Sequence, residues 1–151
     1  MGQVYGLRAY YMYQLYRSWG DVVFTEEPSL GFEVGKLAKA ATPAAEIFEQ
    51  VKKDIESSLS YFGPDYTIKE KKSLWSKAAT LMLKADVYLW SAHRDGGEGD
   101  ARTAKNALVD IQNNISRSNL DLMDTYQGVF AYDNKGNKEI IFTIHNELFE
   151  Y

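Results

Sequence analysis

The pattern of hydrophobic and polar positions is helical over most of the chain and is clearest between Ser76 and Ala92. Apolar side chains recur there at steps of three and four, and neither Gly nor Pro interrupts the run. Because Leu83, Val87 and Trp90 are apolar and lie on other sides, this pattern predicts a central helix with neighbours on several sides. The spacing places one set of residues on a single face of that helix: Ala78, Leu81, Met82, Ala85, Tyr88, Leu89 and Ala92.

The N-terminal part of the chain shows the same spacing. A first helix is predicted from about Gln3 to Trp19, and Gly20 is its natural end. The connection that follows, Asp21 to Ala41, opens with an apolar β-branched stretch that predicts a short extended segment. The rest of it contains Pro and Gly and is predicted to be loop.

Two more helices complete the pattern. The second helix opens at Thr42 and Pro43, where the threonine hydroxyl is the predicted cap and Pro occupies the first turn, and it ends at Gly63. A Gly-rich turn at residues 93–100 then separates the central helix from a fourth helix, which Asp100 is predicted to cap and which closes near Asn113. Three residues of the fourth helix are predicted to face inward: Ala104, Leu108 and Ile111.

The four helices pair into two hairpins with matched spacing. Ala9 in the first helix and Ala85 in the central helix hold the same position relative to their apolar neighbours, as the small crossing residues of tetratricopeptide repeats do. Near the C-terminal end, Glu139 to His145 is β-branched and apolar and is predicted to be a strand. The sequence therefore predicts one all-α domain over residues 1–151, built from tetratricopeptide-like hairpins with long loops and a short extended segment.

Composition narrows the class of protein. The net charge is −4 with no block of like charges, which argues against a nucleic-acid partner. Cysteine is absent, so neither a disulfide nor a thiolate metal site is expected. No apolar run reaches about 18 residues, and the first residues show no secretion signal.

The polar residues show no catalytic pattern. His93 lies in the Gly-rich segment and His145 is about fifty positions away, and the glycines around His93 fit neither a phosphate-binding loop nor a dinucleotide fingerprint. Glu26 and Glu27 are adjacent in a loop, which is not the arrangement of a glycosidase pair. The protein is therefore predicted to be neither an enzyme nor dependent on a metal or cofactor.

Aromatic side chains at helix edges are the remaining candidates for a contact site. Trp19 and Trp75 could each pack in the core or stack on the apolar face of a sugar ring. Arg17 and Asp21 flank Trp19 at the junction between the first helix and its loop, so this junction combines polar and aromatic groups. Contact with a partner protein fits Arg17, Trp19 and Asp21 equally well.

Four segments, in this order, resemble the SusD/RagB family of outer-membrane nutrient-binding lipoproteins. The resemblance lies in an Arg-Ala-aromatic-aromatic helix followed by a Gly turn, a second helix, an Ala-rich helix ending in Val-Tyr-Leu, and a late Glu-Ile-Ile-Phe run. It covers nearly the whole chain, in residues 8–24, 42–59, 76–90 and 119–147.

The resemblance implies a non-enzymatic role. The expected function is surface capture of an oligosaccharide, or of a peptide, and its delivery to a TonB-dependent transporter. The expected location is the cell surface at the outer membrane, with a lipid anchor in the full-length protein. The chain lacks the family's N-terminal acylated Cys and its larger C-terminal region, so it is expected to be a fragment that supplies scaffold and transporter contact. An independent tetratricopeptide-like adaptor is the alternative.

Overall fold

The computed structural model describes residues 1–26, 38–69 and 72–144, and within them the all-α prediction is confirmed. Part of the predicted connection around Pro28, and His145 at the end of the predicted strand, lie outside these residues. A π-helical turn, Ala92–Gly96, joins the third long helix to the fourth. The long helices are α1 (Gly2–Trp19), α2 (Ala44–Phe62), α3 (Lys77–Ser91) and α4 (Gly97–Asn113), and the short ones are α5 (Ile115–Ser118) and α6 (Tyr126–Phe130).

The four long helices form two hairpins. Helix α1 packs mainly on α2, α3 packs mainly on α4, and α2 joins the two hairpins through α3. Among the helices of the described part, none is both long and apolar enough to cross a bilayer.

Helix α3 belongs to both apolar cores, as the prediction of a central helix requires. Ala79, Leu83 and Val87 face α1 and α2. Ala85 packs on the other side of α3, and both predicted crossing residues, Ala9 and Ala85, are buried. The second core lies between α3 and α4 and contains, among others, Ala78, Leu81, Ala104, Ala107 and Ile111.

A partly buried ion pair joins α1 to α2. The Arg8 guanidinium donates through Nε to Asp54 Oδ2 at 2.6 Å and through Nη2 to Asp54 Oδ1 at 2.7 Å, and Gln50 Nε2 donates to the same Oδ1 at 3.0 Å. Hydrogen bonding to Asp54 raises the pKa of Arg8 above its ordinary value. Asp54 is buried, so losing Arg8 would leave an unpaired charge inside the hairpin.

The C-terminal ends of α1 and α2 agree with the prediction, but the start of α2 does not. Gly20 and Gly63 follow the two helices with positive φ, as expected. The predicted Thr42 cap is wrong, because Thr42 instead pairs with Val22 in a single antiparallel bridge. That bridge confirms a short extended segment after Asp21. It also brings Asp21 to the start of α2, where its Oδ1 accepts the Ala44 N–H at 2.8 Å.

The prediction of a Gly-rich turn at residues 93–100 is wrong. The backbone continues from α3 through the π-helical turn, and α4 begins at Gly97, which has a φ of +55°. Asp100 consequently lies in the first turn of α4 and does not cap it, although a carboxylate there is favourable to the helix dipole. One positive-φ residue is enough to redirect the chain without an open loop.

The predicted strand and the predicted inward direction of Leu108 are also wrong. Described residues 139–144 form no strand: the Thr143 N–H bonds the Lys72 carbonyl, but no paired ladder follows, and Phe142 packs on α1 and Trp75 instead. Apolar periodicity identified the helices correctly but did not say which apolar side chains a neighbour covers. The exposed ones are Met82, Leu89 and Leu108.

Candidate functional site

An apolar groove lies between α1, α3 and the C-terminal segment Glu139–Phe142, with a volume of about 370 Å³. Three aromatic rings meet in it: Tyr10 and Trp75 are 5.5 Å apart between centroids, and Trp75 and Phe142 are 5.0 Å apart. The polar members of its lining are Gln14, Asp86 and Glu139. Rings with a few polar groups at the edge can accept an amphipathic ligand or a partner side chain.

The position of Trp75 depends on the absence of a side chain at Gly6. A Cβ built on Gly6 would overlap the Trp75 indole nitrogen, so only glycine lets the ring lie against α1. The indole Nε1 donates to Thr80 Oγ1 at 2.8 Å. Ser76, the residue after Trp75, caps α3 by accepting the Ala79 N–H. Trp75 is therefore held between two helices.

A buried polar chain continues from Trp75 to α2 and α1. Ser58 Oγ donates to the Gly2 carbonyl at 2.7 Å and lies 2.9 Å from Thr80 Oγ1. Thr80 Oγ1 accepts from Trp75 Nε1, and its own proton has two acceptors within reach, the Ser76 carbonyl at 3.2 Å and Ser58 Oγ. These hydrogen bonds connect the groove to three helices, and a fully satisfied network of this kind favours one arrangement of a core.

A second cluster lies at the C-terminal end of α1. The guanidinium of Arg17 lies 5.4 Å from the centroid of the Tyr13 ring and 5.5 Å from that of Trp90, and Arg17 pairs with Asp86 at 3.5 Å. Arg94, from the π-helical turn, lies 5.1 Å from the Trp90 centroid. Trp90 is therefore in cation–π contact with two arginines from different hairpins.

The hollow beside this cluster lies between the ends of the hairpins and measures about 460 Å³. Arg94 Nη1 donates to Tyr16 OH at 3.0 Å across it. Lys52 lies between Glu49 at 3.2 Å and Asp100 at 4.0 Å. Lys52 is thus paired with two carboxylates, and the hollow is lined by both cationic and anionic side chains.

The structure separates the four predicted contact residues. Arg17, Trp19 and Asp21 stay together at the end of α1, whereas Trp75 lies in the apolar groove. Trp19 is 71% exposed and Trp75 only 4% exposed, so the two tryptophans offer very different surfaces. Asp21 is engaged at the start of α2. Of the four, Arg17 and Trp19 present the accessible polar and aromatic groups.

Sequence reasoning missed the residues that shape the groove. Tyr10, Gln14 and Phe142 come from two segments more than a hundred residues apart, so no local motif joins them. The signal that was available is the aromatic density of α1 together with the apolar run at the C-terminal end. Within the described ranges, no group of three or more His, Asp or Glu side chains could hold a metal ion.

The fold and groove define a helical-repeat scaffold, and the comparisons with known proteins identify its family. The chain is 31% identical over 144 residues to SusD-like protein P2 of Formosa agariphila. It is 46% identical to B. fragilis NanU, with a TM-score of 0.87, and 43% identical to a SusD superfamily protein from Bacteroides vulgatus, with a TM-score of 0.84; 99% of the chain is covered in both. The chain belongs to the SusD superfamily.

The chain spans only part of these relatives. It covers 26% of the Formosa protein and 29% of the B. fragilis and B. vulgatus chains. A more distant structure, with a xylogluco-oligosaccharide, is 23% identical at a TM-score of 0.73 and shares the fold. No family model matches the chain.

Proposed function

We propose that this chain is the helical-repeat part of a non-catalytic glycan-binding protein that works with a TonB-dependent transporter at the outer membrane. The main support is membership of the SusD superfamily, a class of non-catalytic binding proteins, along nearly the whole chain. The distant structure with a xylogluco-oligosaccharide supports an oligosaccharide as the ligand class. A surface location with a lipid anchor in the full-length protein follows from the same proposal.

Within that protein, the chain acts mainly as scaffold and transporter contact. The observation that carries this division is the packing of the aromatic groups. Trp75 is almost completely covered by Gly6, Tyr10 and Phe142, so its ring faces cannot stack on a sugar. Trp19, in contrast, presents its ring at an edge of the scaffold, next to Arg17. An exposed Trp beside an Arg is the composition that protein interfaces favour.

The experiment uses the full-length protein and separates the two contacts. Affinity electrophoresis on a polysaccharide panel identifies the glycan, and co-purification with the transporter measures partner contact. Trp19→Ala is expected to reduce transporter capture about tenfold, as a hot-spot residue does, and to leave glycan retardation unchanged. Tyr61→Ala is the matched control, because Tyr61 is an exposed aromatic on α2 that stacks on Tyr5 near the opposite end of α1.

Two results would contradict the proposal. If Trp19→Ala abolishes retardation by the glycan and leaves transporter capture intact, this edge of the scaffold is part of the ligand site. If the full-length protein is retarded by no polysaccharide and captures no transporter, the adaptor alternative is favoured.

A further inference from the structure

One wall of the apolar groove is a segment with neither helix nor strand, residues 137–143, which we call the groove strap. Its Ile141 packs against both apolar cores. Its Phe142 lies on Trp75, with 5.0 Å between the ring centroids, and the Trp75 side chain is almost fully covered. Displacement of the groove strap would therefore uncover the Trp75 ring.

Lys72, in the loop before α3, forms hydrogen bonds with both ends of the groove strap. Its Nζ donates to the Asn137 carbonyl, and its own carbonyl accepts the Thr143 N–H at 3.0 Å. Burial lowers the pKa of Lys72 below its ordinary value, so the ammonium group is partly removed from water and the Asn137 carbonyl replaces part of its hydration. One residue thus holds one end of the strap through its side chain and the other end through its main chain.

The backbone conformation of Lys72 is strained. Its φ of +65° lies in the left-handed region, which a residue with a side chain adopts only at a cost in free energy. Glycine would adopt this conformation without that cost, but it has no ammonium group to bond Asn137. Strain of this kind persists where the surrounding contacts determine it, and it is typical of clamps and switches. The contacts of Lys72 with the groove strap therefore account for a lysine at this position.

The N-terminal end of the groove strap is fixed by further hydrogen bonds. Asn137 is buried, and its Nδ2 donates to the carbonyls of Val129 and Asn134 at 2.9 Å each. At the other end, Thr143 is followed by Ile144, which is 60% exposed. Because the end at Asn137 is embedded and the end at Thr143 leads to an exposed side chain, release of the strap is expected to begin at Thr143.

We propose that Lys72 holds the groove strap closed over Trp75 and that loss of its contacts opens the groove from the Thr143 end. Segments without helix or strand open locally at a lower free energy than the helices they cover. Trp75 keeps its position during this opening, because its hydrogen bond to Thr80 does not involve the strap. Lys72 thus controls whether the groove presents Phe142 or the Trp75 ring. This proposal does not depend on which glycan or transporter is bound.

The test compares three variants of the full-length protein. Lys72→Met removes the ammonium group and keeps a side chain of similar length. Lys72→Gly also removes it and relieves the positive φ, so the loop retains its conformation. Lys69→Met is the matched control, because Lys69 is an exposed lysine in the same loop. Hydrogen exchange followed by mass spectrometry measures opening at Thr143, and oxidation by hydroxyl radicals measures the exposure of Trp75.

Both Lys72 variants are expected to exchange the Thr143 amide about tenfold faster than the unchanged protein, because each loses a hydrogen bond from a charged group. The Trp75 ring is expected to be oxidised several-fold faster in the same two variants. Exchange in α2 should keep the rate of the unchanged protein, because only the strap moves. Lys69→Met should match the unchanged protein in all three measurements.

Four results would overturn the proposal. Unchanged exchange at Thr143 in either Lys72 variant would mean that the ammonium group does not hold the strap. Faster exchange at Thr143 with Trp75 still protected would mean that the strap does not control access to the ring. Equal acceleration in α2, or loss of the folded circular-dichroism spectrum in Lys72→Gly, would assign Lys72 to the stability of the whole fold. An equal effect of Lys69→Met would make the response one of loop charge.

Discussion

Two buried tyrosines, Tyr13 and Tyr66, show how much one hydrogen bond changes the role of a residue. Tyr66 OH donates to Asp110 Oδ1 at 2.6 Å, whereas Tyr13 OH is buried without a hydrogen-bond partner among the described residues. Burial is the main cause that raises the pKa of each to about 12, with Asp110 adding to the effect at Tyr66 and Asp86 at Tyr13. The buried tyrosine hydroxyl thus has a hydrogen-bond partner in one core and none among the described residues in the other.

Removal of the hydroxyl group is expected to change the free energy of unfolding in opposite directions at Tyr66 and Tyr13. Tyr66→Phe should lower the free energy of unfolding by about 1.5–3 kcal/mol, because it removes a hydrogen bond to a charged group. Tyr13→Phe should be neutral or stabilise by up to about 1 kcal/mol, because it removes an unpaired buried hydroxyl. Urea unfolding followed by circular dichroism measures both. A loss at Tyr13→Phe equal to that at Tyr66→Phe would mean that the Tyr13 hydroxyl has a partner.

The same two residues predict a loss of stability at alkaline pH. Their pKa is about 10 in the unfolded chain and about 12 in the folded protein. Between these values the unfolded state releases protons that the folded state keeps, so the contribution is complete below pH 10 and is lost as pH rises toward 12. Urea unfolding at pH 9, 10 and 11 should show a smaller loss for the Y13F/Y66F double variant. Identical pH dependence in both proteins would contradict this assignment.

At the scale of elements, apolar periodicity predicted the helices reliably, whereas capping residues predicted the helix ends less well. The central position of α3 followed from its apolar faces, and the glycine ends of α1 and α2 followed from sequence. The start of α2 could not be predicted from the local sequence. The N–H of Ala44 is bonded by Asp21, which is distant in sequence and is brought there by the Val22–Thr42 bridge. Contacts of that kind are set by tertiary packing, which no local pattern encodes.

The close crossing of α3 and α4 yields a prediction about side-chain size. Ala85 is buried in the core between these helices. Ala85→Leu should therefore destabilise the protein by about 1–3 kcal/mol, since the added atoms force the helices apart. Ala45→Leu is the control, because Ala45 is exposed on α2 and the same change should cost less than about 0.5 kcal/mol. Equal effects of the two changes on thermal unfolding would refute a tight crossing at Ala85.

At the scale of the whole molecule, the fold could be predicted further than the site. Matched spacing and the order of four segments were enough to indicate the superfamily, which identity over almost the full chain confirms. The contact residues were inferred from single helix edges, and burial separates them: Trp19 is open and Trp75 is enclosed. A groove built from α1, α3 and Glu139–Phe142 requires knowledge of how distant segments meet.

The contact between Gly6 and Trp75 ties the shape of the groove to a single hydrogen atom on α1. A methyl group at that position would overlap the indole nitrogen that donates to Thr80, so the ring would have to move. The groove can therefore be reshaped from behind, by a change on α1 at a residue outside its lining. Mutagenesis restricted to the residues that line this groove would leave out Gly6, which determines where the Trp75 ring lies.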